Sequence, residues 1–376
     1  MTGLLGRLIA ASESKRAQAA EGDRRSRSPR SPVDLPRPDR LDPFLADIEL
    51  RTAYRSLVDG DFTRLERFLE ISAKSWMFGP IITGDIVGLE PVVFERWVEF
   101  TGSPRSRVFY AQILIRDAFA ARRRDLDRAG DGKVVAGARP VDVGAGRDGP
   151  SAVIDGFLSE VDERFVTRLS AAEEILYEMI GERPAMADPW IALLVSGRGL
   201  QVDLEELRER FENAHSRGPF RPDACRQYLQ GLTKKWGGSS VATFDFARWI
   251  EDETPDGSPA REALPMAHIE KGLLEQGPAG LASYLVQPDV VAELATGLLR
   301  FLQAIPSPAP TEALGVLNAY ALALTVDSRA TARLMTEALA RIDNRPTEWP
   351  WSIYADDIAD VFSEIQADQL RFASRY

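Results

Sequence analysis

Three side chains could carry nucleophilic or metal chemistry: the single cysteine, Cys225, and the two histidines, His215 and His268. A Cys–His pair can be assembled from residues far apart in sequence, because the thiolate needs only a base within hydrogen-bond reach. Cys225, however, lies in Asp223-Ala-Cys-Arg-Gln-Tyr-Leu229. There a small apolar residue on a helix face reads as ordinary core. No His-Glu-x-x-His or paired-cysteine spacing accompanies them, so no metal ligands are assigned. Each histidine follows an alanine, in Asn213-Ala-His215 and Met266-Ala-His268, and each is expected to reach from a helix face into polar contacts between helices. The adjacent acids Glu173-Glu174, Glu205-Glu206 and Asp356-Asp357 cannot oppose one another across a cleft, as hydrolytic pairs must. Glu173 and Glu206 suit capping, and Asp356-Asp357 suits the first turn of a last helix. No catalytic residue is assigned.

Two Gly-rich strings bear on cofactor or anion binding. Val141-Asp-Val-Gly144-Ala-Gly146-Arg-Asp-Gly149 matches Gly-x-Gly-x-x-Gly and looks like the first motif of nucleotide-type methyltransferases. That chemistry needs a strand feeding the turn, then a helix and a second strand. Only three residues are available for the strand, Pro150 follows at once, and Phe157 to Ile180 has helical spacing. The reading is therefore of no cofactor. Lys234-Lys-Trp236-Gly-Gly-Ser239-Ser240 could hold an anion on backbone N–H groups at a helix start. A joint explains more of it. Trp236 ends one helix and packs between it and the next, Gly237 or Gly238 takes a positive φ, and Ser239 or Ser240 caps the next helix.

The 376 residues carry a net charge of −11, while the first 43 hold nine basic and six acidic side chains. An acidic body repels phosphate backbones, so no nucleic-acid partner is expected. The longest apolar stretch, Ala319 to Leu324, falls far short of the ~20 residues of a membrane span, and no membrane partner is expected. A lone cysteine suits a reducing cytoplasm. Only six of the 46 basic residues are lysine, a bias read as genome composition.

Positioning falls to helices. Residues 1–40 form an N-terminal arm, of which 17–40 are Arg/Ser/Pro-rich with nothing to bury and read as disordered. Residues 41–128 read as an N-terminal helical region. Leu45, Ile48, Leu50, Tyr54 and Leu57 share one face, Gly60-Asp61 turns, Phe62 to Leu69 follow, and Ser103-Pro104 starts a long helix. Residues 129–151, with six glycines and two prolines, read as a linker or insertion. Residues 152–376 read as a helical-repeat-like domain, with starts at Ser170 (a capping box with Glu173), Asp188, Asp203, Pro222, Ser239, Ser258, Pro288, Thr311 and Ser328.

Pro189-Trp190, Tyr228-Leu229, Leu232 and Lys235-Trp236-Gly237-Gly238-Ser239, then Phe246-Ala247-Arg248 and Ala267-His268, carry a resemblance. Residues 186–275 resemble an uncharacterised bacterial domain family of tetratricopeptide-like helices. The resemblance implies a helical fold with an interaction role and brings no catalytic residues. The fold expected is all-α, a tetratricopeptide-like α-solenoid of stacked antiparallel helix pairs. The function expected is non-enzymatic scaffolding, with an unidentified protein or peptide partner in a concave groove. The alternative is a small-molecule enzyme using the 144–149 loop or a polar pocket around His215 and His268. A third possibility is a regulatory module tethered by its basic arm.

Overall fold

Capping residues decide where this chain turns. The computed structural model describes residues 41–84, 87–128, 151–325, 331–354 and 358–373. All are helix or connecting turn, with no strand among them, and the helices pack in neighbouring pairs. No described helix is long and apolar enough to cross a membrane. The Gly-rich 144–149 string, the 1–40 arm, Ser328 and Asp356-Asp357 lie outside the described residues. Two compact units divide the chain. One is Ile48–Thr243; the other joins the stretch ending at Asp47 to Phe244–Tyr376.

The first unit holds α1 (Ile48–Asp59), α2 (Phe62–Ile71), α3 (Ser75–Ile82), α4 (Pro91–Thr101), α5 (Pro104–Arg128), α6 (Ser151–Glu182), α7 (Asp188–Leu200), α8 (Leu204–Arg217) and α9 (Pro222–Leu232). Asp61 caps α2 by accepting from Arg64 N at 3.2 Å, after Gly60 turns at φ 80°. Ser103 caps α5 through Ser106 N at 3.0 Å, and Asp203 caps α8 through Glu206 N at 2.8 Å. Each cap satisfies an N–H that the helix leaves open, typically worth about 1 kcal/mol.

α5 and α6 form the long antiparallel pair. Arg122 meets Asp162 at 2.8 Å, and 15 residues earlier Arg107 meets Glu178 at 2.6 Å. Between these ties Val108, Ala111, Ile115 and Ala118 pack on Phe165, Leu169, Ala172, Leu176 and Met179, with Ala192 and Leu193 of α7 against them. At about 1.5–3 kcal/mol per fully buried large apolar side chain, this seam dominates the unit. Three expectations need correction. α6 runs without a break through Ser170, so Ser170–Glu173 is no capping box: burying Val161, Phe165, Leu169 and Leu176 along one continuous stripe outweighs the local cap signal. α3 is a helix not foreseen, because Gly79 and Pro80 inside it mask its pattern. Residues 43–46 form a turn, so Leu45 is not on the face of α1.

The second unit contains most of α10 (Ser240–Glu253), then α11 (Ala263–Leu285), α12 (Pro288–Ala304), α13 (Leu314–Leu324), α14 (Ala332–Ile342), the short α15 (Glu348–Trp351) and α16 (Ile358–Ala373). From Val316 to Leu324 every residue of α13 is buried, so α13 is the centre about which the others pack. Its polar residues are handled individually. Asn318 donates to Leu314 O at 2.8 Å and accepts from Trp351 Nε1 at 2.7 Å.

Tyr320 is fully buried, and its hydroxyl has no hydrogen-bond partner. It fits only because residue 297 is glycine: a Cβ there would stand 2.3 Å from the hydroxyl oxygen. An unpaired buried hydroxyl costs free energy that a ring without it does not. Tyr320→Phe should therefore stabilise the protein by about 0.5–1 kcal/mol. Gly297→Ala alone should cost about 1–3 kcal/mol by overpacking and much less beside Tyr320→Phe. Denaturant melts of the four proteins check this double-mutant cycle. Additive effects, with no rescue, would refute the notch.

Candidate functional site

In the first unit, chemistry-bearing side chains converge on Arg210. Its side chain is 4 % exposed, lying between α6, α7 and α8. Nη1 donates to Glu173 Oε1 at 2.7 Å and Leu193 O at 2.6 Å, and Nη2 donates to Glu206 Oε1 at 2.5 Å. Ser196 Oγ also donates to Glu173, at 2.6 Å. Desolvation works against the Arg210 charge, yet bonding to Glu173 and Glu206 raises its pKa above the ordinary value. Glu173 and Glu206, expected as capping residues, are instead the two counter-ions of one buried guanidinium. Removing a single partner of such a set strands a charge and costs several kcal/mol.

His215 lies half-buried in the same unit. Its ring stacks on Phe211 at 5.6 Å and meets Phe220 edge-on at 4.7 Å, while Nδ1 accepts from Phe220 N at 3.3 Å. Burial lowers its pKa. Cys225 is buried, and burial pushes its thiol up, the opposite of what an activated nucleophile needs.

The Lys-Trp-Gly-Gly-Ser string is occupied by its own backbone. Gly238 N donates to Thr233 O at 3.1 Å and Ser239 N to Leu232 O at 3.0 Å, so these N–H groups close the end of α9 rather than face an anion. Gly237 has φ 91°, and Ser239 caps α10 through Ala242 N at 3.1 Å, both as expected for a joint. Trp236 is half-buried, and the guanidinium of Arg198 in α7 stands 5.8 Å from its ring centroid. Arg198 in turn donates to Gln227 O of α9 at 2.9 Å.

In the second unit a row of side chains is joined by hydrogen bonds around His268. α11 breaks at Gly277, with φ 67° and ψ −179°, and the chain doubles back. Gly272 permits this: a Cβ there would meet Leu281 Cδ1 at 2.4 Å and Tyr284 Cδ1 at 2.9 Å. In a straight helix, residues 268 and 284 would be about 24 Å apart. After the reversal, His268 Nδ1 lies 2.9 Å from the Tyr284 hydroxyl. His268 Nε2 lies 3.1 Å from Glu293 Oε2 of α12, and Arg248 Nε of α10 donates to Glu293 Oε1 at 2.9 Å. Phe244 lies edge-on to the imidazole at 4.7 Å, and Lys271 Nζ stands 5.2 Å from the Tyr284 ring centroid.

Burial sets the protonation states. It takes His268 from 6.5 down to about 4, against the pull of Glu293. Burial also raises Tyr284. Desolvation pushes Glu293 up, but the hydrogen bond and charge of Arg248 and the hydrogen bond from His268 hold it below the ordinary carboxylate value. At neutral pH the row is thus a phenol donating to a neutral imidazole, which donates to a carboxylate. The row ends at Glu293, whose side chain is 30 % exposed. With His268 and Tyr284 buried, it lends no nucleophile to an outside substrate. Its positive role is to fasten the returning arm of α11 to α10 and α12. His215 and His268 belong to different units, and each is satisfied within its own. Among the described residues, no His/Cys/Asp/Glu group with metal-ligand placement occurs. The Arg210 and His268 sets were missed in the sequence because helix faces from three elements build each. Only Glu206-x-x-x-Arg210, at i,i+4 spacing, left a local signal.

Two measurements test these assignments. A His268 neutral in the fold and protonated in the unfolded chain removes stability as pH falls from 6.5 towards 4, and leaves it intact above 6.5. The loss should reach roughly 3 kcal/mol. Denaturant melts from pH 7.5 to 4.5 should show a steeper decline for the parent than for His268→Gln; parallel profiles would contradict the assignment. At the joint, a Cβ on Gly238 would lie 2.0 Å from Leu232 O, whereas Gly237 has open space around it. Gly238→Ala should therefore cost more than Gly237→Ala, which should lose about 1 kcal/mol to its positive φ. Trp236→Ala should lose about 1–2 kcal/mol as a partly exposed cation–π partner, and exposed Lys234→Ala should stay within about half a kcal/mol. Thermal melts rank the four.

Comparison of the chain with protein families, with characterised proteins and with solved structures finds no match in any of the three.

Proposed function

We propose that this chain is a non-enzymatic interaction protein that receives a protein or peptide partner on stacked, tetratricopeptide-like helix pairs. The observation that carries the reading is a run of aromatic rings in the first unit that ends in solvent. Phe68 meets Phe78 at 5.8 Å, Phe78 meets Phe109 at 5.9 Å, Phe109 meets Trp97 at 5.4 Å, and Trp97 stacks on Phe62 at 6.4 Å. Phe62 then holds Phe100 at 5.5 Å, and Phe100 is 68 % exposed. Phe78 and Trp97 are fully buried, and Trp97 Nε1 is fixed by Glu66 Oε1 at 3.0 Å. An exposed ring backed by a rigid buried stack gives up little side-chain freedom on binding, which is what an interface anchor needs.

The surrounding face of α4 suits the same role. Val92 is 53 % exposed, one side of a face shared with Glu95, Arg96, Glu99 and Phe100, so apolar area is flanked by charge of both signs. Interfaces commonly show an apolar centre within a polar rim. The buried titratable sets, by contrast, are spent on one another.

A photo-reactive amino acid in place of exposed Val92, beside Phe100, should give one dominant cross-linked species in the native host, and the same residue at exposed Val58 should not. Phe100→Asp should weaken recovery of that species at least ten-fold while moving stability by no more than about 1 kcal/mol. Undiminished recovery with Phe100→Asp would overturn the proposal.

A further inference from the structure

Two prolines set one piece of the second unit apart. Pro278 and Pro288 each lack the N–H that would continue a helix through them. The residues before them, Gly277 (φ 67°, ψ −179°) and Gln287 (φ −62°, ψ 135°), both leave helical geometry. Residues 278–286 are therefore a short helical arm that neither neighbouring helix continues. The space around Gly277 is open, so its bend is set by the Gly-Pro pair rather than by packing. One side of the arm rests on the unit through buried Leu281, Tyr284 and Leu285, while Ser283, Val286 and Gln287 face solvent. Among the described residues, the arm's side chains make one hydrogen bond beyond it, from the Tyr284 hydroxyl to His268 Nδ1 at 2.9 Å.

The two nitrogens of that imidazole answer protonation in opposite ways. Nε2 donates to Glu293 Oε2 in either state, and a positive ring turns this bond into an ion pair. Nδ1 accepts from Tyr284 while the ring is neutral; once protonated it is a donor that faces a donor. The phenol must then turn its proton away, and the hydroxyl has no second partner to receive it. The charges around the ring come from three elements. Glu293 of α12 favours a positive His268, whereas Arg248 of α10 and Lys271 of α11 oppose it. Glu275 of α11 and Asp289 of α12 act on Tyr284 and keep it a phenol. α13, which also packs on α11, carries no charged side chain.

We infer that the arm of residues 278–286 is an acid-released latch: protonation of His268 holds α11 to α12 through Glu293 and frees the arm at Tyr284, swinging on Gly277. The device is independent of the Phe100 surface and stands or falls without it. Lifting the arm uncovers the imidazole, whose proton affinity then returns from about 4 towards 6.5. A group with a lowered value in the closed state removes stability from that state as pH falls from 6.5 towards 4. At pH 5 this favours the open arm by up to about 30-fold over its level at pH 7.5. Burial of Leu281, Tyr284 and Leu285 keeps the closed arm as the resting state, and the proton acts on the ratio of the two.

The test is hydrogen exchange read by mass spectrometry on the full chain at pH 7.5 and 5.0, corrected for the pH dependence of chemical exchange. The opening equilibrium of residues 280–286 should rise at least ten-fold at pH 5.0 relative to that of residues 314–324 in α13. His268→Gln should abolish the rise. Tyr284→Phe should already speed exchange of the arm several-fold at pH 7.5 while leaving α13 unchanged, which covers the case in which His268→Gln does not fold. An arm that exchanges only together with α13 at both pH values would overturn the latch and make the row plain core packing. So would a rise that survives His268→Gln, or an arm that Tyr284→Phe leaves unchanged.

Discussion

A helix that ends inside packed surroundings leaves up to four carbonyl oxygens without partners, and water is not there to take them. In this chain arginine answers that demand. Arg261, 1 % exposed, donates to Glu251 O and Thr254 O at 2.7 Å each and to Pro255 O at 2.9 Å, which closes the end of α10. Arg341 donates to Leu302 O at 2.6 Å and Ile305 O at 2.9 Å at the end of α12. Arg345 reaches Ala309 O at 2.8 Å and Ile342 O at 3.1 Å where α14 stops. A planar fork with five donors can serve two or three carbonyls at once, and a lysine ammonium on a flexible stem cannot hold that geometry. The scarcity of lysine, which composition alone reads as a genomic bias, acquires a structural use at these positions.

The same constraint organises the buried acids. A guanidinium taken out of water must be paired, so Glu251 and Asp256 gather at Arg261, and Glu173 and Glu206 at Arg210. Desolvation raises the Glu251 pKa despite Arg261 and Arg300. These sets bind helices to one another at fixed rotation, because a helix turned by one residue would lose its counter-ions. They occupy the titratable residues that a catalytic reading would otherwise have claimed.

Glycine works alongside arginine by letting helices and returning segments approach. Gly199 admits Leu169 and the rings of Phe119 and Phe165, Gly272 admits Leu281 and Tyr284, and Gly297 admits the Tyr320 hydroxyl. Only the second of these creates a polar contact, bringing Tyr284 to His268. The proposed contact surface lies elsewhere, at Phe100, where an apolar ring meets solvent.

By itself the sequence determined what local energies control. Helical spacing, the capping residues Asp61, Ser103, Asp203 and Ser239, and the glycine after Trp236 gave the all-helical class and most helix starts, because each acts within one turn. Local energies failed where distant burial outweighed them. Ser170 carries a good cap signal, yet α6 continues through it because its apolar stripe is buried on α5 and α7. Only the tertiary structure decided that α5 and α6 pair across residues 129–150, that Glu173 serves Arg210, and that Gly277 turns Tyr284 back to His268. Each joins residues from 16 to 40 positions apart, beyond any helical period, and the match of side-chain volumes and charges that selects them exists only once the helices have packed.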